Sequence, residues 1–292
     1  MALKARAPGV GENKRLKFLA YGVAGVGKSY CALQFPKPYY IDTERGVENE
    51  QYQELLKKAG GAYFFTNDSD ELIAEVRSLM STPHDYRTLV IDSITEIYDD
   101  LLDASYTKIG TTDFNKHRTE PDIKIKHLLR LCVRLDMNVV LISHSKAKWK
   151  NSTGSNGKMV LSSDGETWDC LKGLDYKLDL VVEVSKRGHD RVASVVKTRE
   201  SGFQDGEIFS WDYSTFAEKY GSDNFERDSV SVALASDKQV AMIESLFKEC
   251  GVSDSAIVKF LNKHNADNLS EIPREIADKA IEHYQGVKKG AA

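Results

Sequence analysis

Residues 16–33 read LKFLAYGVAGVGKSYCAL: an apolar run, three glycines within six positions, then Lys28 and Ser29 ahead of a segment that suits a helix. Gly22, Gly27, Lys28 and Ser29 fit the spacing G-x-x-x-x-G-K-[ST], with Gly25 as an extra hinge. A strand that turns into a helix through such a loop can aim successive backbone N–H groups inward, because glycine accepts conformations that a Cβ resists. The chemistry that needs this is the cradling of a polyphosphate. Lys28 then reaches the β- and γ-phosphate oxygens, Ser29 ligates Mg²⁺, and the helix directs its N-terminus at the anion. A glycine-rich turn with a surface lysine is the plainer reading, but it explains neither the strand before the motif nor the helix after it. The stretch predicts a nucleoside triphosphate site at Gly22, Gly25, Val26, Gly27, Lys28, Ser29 and Tyr30.

Apolar runs recur at YYIDTE (39–44), AYFFT (62–66), TLVIDS (88–93) and NVVLISH (138–144), and DELIAEVRSLM and DIKIKHLLRLCVRL between them carry apolar residues at helical spacing. Strands so uniformly apolar are buried on both faces, which predicts an α/β fold with a mainly parallel sheet. Residues 178–201, LDLVVEVSKRGHDRVASVVKTRES, then hold two strand-like runs joined by KRGHD, with GEIFSWD following. Connections this short suit antiparallel pairing, so the sheet is expected to end in a β-meander. The expected organisation is a core over residues 1–220, a linker at 221–235 and a small helical domain at 236–292. In the last, SDKQ offers a capping box with Ser236 as N-cap and Gln239 reaching back, and Gly251 can end that helix. The final helix is expected to open at Pro273 and close at Gly286.

Composition excludes several classes. A chain of 292 residues with 41% hydrophobic content holds one large core and a small appendage. Its formal charge of -4 announces no nucleic-acid or membrane partner in bulk, so any such surface is local. Cys31, Cys132, Cys170 and Cys250 lie far apart with no C-x-x-C pair, against a zinc site or a disulfide framework. They suit a reducing compartment. No apolar leader segment and no run approaching roughly 18 apolar residues is present, so the chain is expected to be cytoplasmic and off the membrane.

Hydrolysis of a triphosphate needs more than its cradle. Asp92 ends the apolar run TLVIDS, where it can hold Mg²⁺ beside Ser29; alternatively, Asp92 or Ser93 caps the next helix. Asp42 and Glu44 stand two apart in YYIDTERG, a spacing that places both on one face of a strand at the ligand edge of a parallel sheet. Glu44 is the candidate general base, with a solvated acidic loop as the alternative.

The order of these motifs, a P-loop strand, then IDTE, then LVIDS, then a strand ending in a polar residue, then a hairpin carrying VVKTRESG, resembles the ATPase core of RecA-type recombinases and hexameric helicases. Within that group it looks most like phage-encoded RecA-like proteins of single-strand annealing and recombination. The resemblance covers about residues 14 to 215. It implies ATP as the nucleotide, Glu44 as the group that activates water, and Lys197 and Arg199 as residues reaching the γ-phosphate of a neighbouring subunit. His144 stands where recombinases place a γ-phosphate-sensing glutamine. Thr198 and Glu200 depart from the asparagine and phenylalanine of the usual K-N-R-F-G element. An exposed strand edge protected by charge is the bland alternative for Lys197 and Arg199. A residue acting in trans implies a homo-oligomer, ring or filament.

Charge is uneven along the chain. Residues 40–103 carry 15 acidic and 5 basic groups, net -10, whereas residues 108–150 carry 10 basic and 4 acidic, net +6. A phosphate backbone would choose the second segment. The resemblance implies mobile DNA-lining loops at SYTKIGTTDFNKHRTEPD (105–122) and in the long stretch 145–173. Lys116, Arg118, Lys146, Lys148, Trp149 and Lys150 are the candidate contacts to single-stranded DNA, since lysines beside an aromatic combine backbone attraction with base stacking. The alternative is a solvated loop whose lysines bind nothing in particular. These features predict a DNA-dependent ATPase of recombination or annealing, with a single-strand-binding protein as a possible partner of the helical tail. Rival readings are a hexameric helicase-type motor and a nucleotide-binding adaptor without turnover.

Overall fold

The computed structural model describes residues 15–110, 113–153 and 159–290. The apolar runs form strands β1 (Lys17–Tyr21), β2 (Pro38–Asp42), β3 (Ala62–Phe65), β4 (Thr88–Asp92) and β5 (Asn138–Ser143). Beyond them come β6 (Ser145–Thr153), β7 (Met159–Trp168), β8 (Leu180–Arg187), β9 (Asp190–Thr198) and β10 (Ile208–Ser210). The helices are α1 (Lys28–Ala32), α2 (Glu50–Lys58), α3 (Ser69–Ser81), α4 (Ile94–Ile109), α5 (Thr119–Arg134), α6 (Tyr213–Tyr220), α7 (Ser222–Glu226), α8 (Asp237–Glu249), α9 (Asp254–Lys263) and α10 (Arg274–Gly290).

Eight strands make one sheet in the order β10-β9-β8-β1-β5-β4-β2-β3. From β8 to β3 every neighbouring pair is parallel, and β8, β9 and β10 pair antiparallel. The α/β class and the terminal meander are therefore as the sequence predicts. Every residue of β1, β4 and β5 is buried, which explains their unbroken apolar runs. Alternate residues, Phe18 and Ala20 of β1, Val140 and Ile142 of β5, Leu180 and Val182 of β8, share one face with an aromatic group that includes Phe35, Phe209, Trp211 and Phe216.

Two stretches differ from their sequence reading. Within residues 145–173, expected as a mobile loop, Ser145–Thr153 and Met159–Trp168 form the two-stranded antiparallel ribbon β6–β7, and a 3-10 turn follows at Leu174–Lys177. The stretch 221–235, read as a linker, holds α7, whose Phe225 is fully buried in the aromatic group; a single aromatic among polar residues gave no periodicity to reveal it.

The chain divides into two compact units. The first takes the described residues up to Ser69, Asp85–Asp122 and Met137–Ser229; the second takes Asp70–His84, Ile123–Asp136 and the chain from Val230. The C-terminal helices thus group with most of α3 and α5. Inside the second unit, the buried Glu271 carboxylate lies 2.6 Å from His127 Nε2 and accepts from the Asp267 N–H at 2.9 Å and Asn268 Nδ2 at 2.8 Å. Ser236 and Gln239 form the capping box that opens α8. Gly286 does not close α10, which runs on to Gly290; one glycine in a helix costs only about 1 kcal/mol, less than an amphipathic face can supply. No helix among the described residues is long and apolar enough to cross a membrane.

Candidate functional site

Parallel pairing fixes the site. The register sets Asp42 beside Asp92, Asp92 beside Ile142, and Tyr21 beside Ser143, so the chain leaves β1, β2, β4 and β5 at one edge of the sheet. Gly22, Glu44, Ser93 and His144 follow at that edge, where α/β folds bind ligands.

The loop from Gly22 to Ser29 is held on both sides. A Cβ on Gly22 would collide with the Val184 carbonyl oxygen of β8, so only glycine brings the loop this close to the sheet. Gly27 has a φ of 90° and its carbonyl accepts from Trp211 Nε1 at 3.0 Å. Lys28, only 8% exposed, donates from Nζ to the carbonyls of Gly22 at 2.7 Å and Val23 at 3.0 Å. Burial pushes its ammonium below the usual lysine range, against the pull of Asp92 and Glu44.

Opposite Lys28 sit the acids. Asp92 accepts from Tyr40 Oη at 2.6 Å. Burial raises its pKa, while Ser29 and the Tyr40 bond favour the ionised form. Burial, then Asp92, raises the pKa of Tyr40, which keeps it protonated as a donor. The cap of α4 falls to Ser93, whose Oγ accepts from the Glu96 N–H, leaving Asp92 facing Ser29. A hydroxyl and a carboxylate, both oxygen donors, facing a buried ammonium fit a hard divalent cation bridging to phosphate.

Glu44 stands beyond the end of β2. Its Oε1 accepts from Ser93 Oγ at 2.7 Å and lies 2.9 Å from His144 Nε2. The His144 bond, opposed by burial and aided by Ser93, holds the carboxyl below the usual glutamate range; the same bond raises His144. Glu96 approaches this pair, its carboxylate oxygen within 4.8 Å of the ligand atoms of Glu44 and His144. Glu44 lies past the end of β2, so strand alternation does not set it beside Asp42 as expected. Its carboxylate accepts from the N–H groups of Glu44, Gly46 and Val47 at 3.0, 3.2 and 2.8 Å, and so shapes the turn that presents Glu44.

Lys197 and Arg199 are elsewhere. Thr198 pairs with Leu180 at the start of β8, so both cations belong to the opposite edge of the sheet from the loop. Lys197 Nζ donates to the carbonyls of Asp175, at 3.1 Å, and Leu178; Arg199 Nη2 donates to that of Tyr176 at 2.6 Å. Of the six candidate DNA contacts, Arg118, Lys146, Lys148 and Trp149 line one pocket of about 550 Å³ together with Lys172 and Tyr176. Lys116 and Lys150 do not line it. The ribbon lysines are paired: Lys146 with Asp169 at 2.8 Å, Lys148 and Lys150 with Asp164 at 3.2 and 2.5 Å.

Sequence reading missed the residues that support these groups. Tyr40 stands two positions ahead of Asp42 in a run read only as strand, and Trp211 lies far along the chain from the loop it braces. Arg191 lies over the loop, with Nε 2.5 Å from the place a Gly27 Cβ would take and its guanidinium 5.9 Å from the Tyr30 ring. The hairpin KRGHDR carried its residue type but nothing that placed it at the loop.

The family model described as an AAA domain matches residues 14–206. No curated protein matches the chain in sequence. Among solved structures, the chain is similar at 13% identity and a TM-score of 0.37 to a prototypical ATPase from the type III secretion system of pathogenic bacteria, over 94% of this chain and 81% of that one. At the same identity and TM-score it is similar to EscN, the assembled ATPase in complex with its central stalk EscO from the enteropathogenic E. coli type III secretion system, over 94% of this chain and 66% of that one. With its glycine loop, buried lysine and facing aspartate on the matched segment, the chain belongs to the AAA domain family and carries a P-loop ATPase core.

Proposed function

We propose that the protein is an ATP hydrolase whose turnover is stimulated by single-stranded DNA, acting in recombination or single-strand annealing. The observation that carries the hydrolysis is the Glu44 carboxylate, kept ionised by His144 and Ser93 at the edge that presents Lys28 and Asp92. A general base must be charged and aimed, and two donors to one oxygen do both. Water oriented by Glu44 attacks the γ-phosphate in line, while Lys28 turns from the Gly22 and Val23 carbonyls to the phosphate oxygens. Ser29 and Asp92 would hold Mg²⁺, which when bound neutralises charge on the β- and γ-phosphates. Arg199, with Lys197, supplies the remaining positive charge to the site of a neighbouring subunit, so the working form is an oligomer.

The DNA reading is supported by the pocket beside the ribbon. Trp149 and Tyr176 are 58% and 75% exposed there, two ring faces open to bases. Arg118 and Lys172 line the same wall and form no ion pair among the described residues. Cations beside open rings suit a strand bound through its backbone and stacked bases. The test is the ATPase rate with and without an oligodeoxythymidylate at two salt concentrations. Stimulation that collapses as salt rises is expected, and Trp149→Ala should weaken it several-fold. A rate indifferent to DNA at both salts would leave hydrolysis standing and remove the DNA partner.

A further inference from the structure

The second unit carries a pocket that ATP hydrolysis does not use. It has a volume of about 460 Å³, and its polar lining is Arg77, Ser78, Ser81, Ser270 and Arg274. The rest of the wall is alanine and leucine, and no lining residue is acidic. Three other basic groups of this unit each have an acidic neighbour. Arg130 pairs with Asp267, Lys124 with Asp70 at 2.8 Å, and Arg134 approaches Glu271 at 3.8 Å.

Arg77 is held in place without being neutralised. One guanidinium nitrogen donates to Ser270 Oγ at 2.6 Å, and Ser270 in turn donates to Asn268 Oδ1 at 2.6 Å, which anchors one end of the fork. Its Nε is buried and has no hydrogen-bond partner. A buried donor left without an acceptor is destabilising, and two guanidinium groups lining one acid-free hollow repel each other. The Arg274 side chain forms no hydrogen bond or ion pair among the described residues. Ser78 and Ser81 spend their protons on carbonyls of their own helix, at 3.0 Å each, and can rotate toward an acceptor.

We propose that this pocket binds a tetrahedral oxyanion of the phosphate class, supplied by the phosphodiester backbone of a nucleic acid or by free phosphate. Two guanidinium forks and three hydroxyls offer donors from several directions, which suits the oxygens of a phosphate better than the two coplanar oxygens of a carboxylate.

The test uses the full chain carrying Lys28→Ala, so that the P-loop lysine contributes nothing. Arginine Nε–H resonances, assigned through R77K and R274K, are followed as inorganic phosphate, an oligodeoxythymidylate or acetate is added. Phosphate is expected to move the Arg77 and Arg274 signals saturably, and R274E, at an exposed position, should weaken that binding at least about tenfold. Movement of the same signals by the oligonucleotide, reversed by phosphate, identifies the backbone as the source; movement by phosphate alone identifies free phosphate. No saturable movement at Arg77, or acetate acting as strongly as phosphate, overturns the proposal. Neither result bears on hydrolysis at the P-loop.

Discussion

Glu44 meets two donors of different kinds, a hydroxyl that does not titrate near neutrality and an imidazole that does. The difference makes the site sensitive to pH in a defined direction. The carboxyl titrates below its ordinary value of 4.5 and the imidazole above its ordinary 6.5, each chiefly because of the other. Stability from the carboxyl is present above its unfolded pKa and fades as pH falls through the depressed folded value. Stability from His144 is complete below 6.5 and fades as pH rises through its raised folded value. Both side chains are 41% exposed, so solvent screening keeps the energy small and the catalytic consequence is the larger one. Removing the imidazole by H144A should move the acid limb of the hydrolysis profile upward, toward an ordinary glutamate, while E44Q should keep ATP binding and lose turnover by at least about a hundredfold. The pH–rate profile of H144A is the check on the first; an unmoved acid limb would mean that a different group sets it. Glu44 itself was legible in the sequence because IDTE ends an apolar run. Its partner Ser93 was visible only as a cap, since one hydroxyl both caps α4 and holds Glu44.

At the scale of elements, the glycine loop is a junction of three pieces of sheet rather than a free turn. β1 delivers Gly22, the Val184 carbonyl of β8 closes on it, and the Trp211 indole ties Gly27 to the segment after β10. Gly22→Ala places a methyl against backbone that cannot swing aside, so ATP binding should be lost together with about 1–3 kcal/mol of stability. Denaturant unfolding and an ATP titration on the same sample read both; normal ATP affinity would mean that the loop can part from β8 without cost. The strands flanking this junction were legible because both their faces are buried. The ribbon β6–β7 was not, because it pairs Lys150 with Ser162 and Asn151 with Leu161 and has no continuous apolar face to set a period of two. Nor could local pattern show that α5 groups with the C-terminal helices. The contacts that do so, His127 to Glu271 and Arg130 to Asp267, join residues more than 130 positions apart.

For the molecule as a whole, the position of Arg199 carries the strongest consequence. Its guanidinium donates to the Tyr176 carbonyl at the sheet edge opposite the glycine loop, and Lys197 beside it grips the same turn. An arginine there cannot serve the γ-phosphate of its own subunit without unmaking β9, whereas in the proposed head-to-tail oligomer a neighbour would present that edge to the next subunit's loop. The same turn contributes Tyr176 to the proposed DNA pocket, so a strand bound there touches the element that positions Arg199. R199A alone should lower turnover and leave single-subunit ATP affinity nearly unchanged. Mixing it with E44Q separates cis from trans action. Neither variant hydrolyses ATP well alone, yet in a randomly mixed head-to-tail oligomer roughly one interface in four joins an intact Glu44 to an intact Arg199. Recovery of about a quarter of wild-type activity on mixing is therefore expected, rising with protein concentration as interfaces form. Activity that stays at the level of the separate variants, at concentrations where sedimentation shows mixed oligomers, would place the contribution of Arg199 within one subunit.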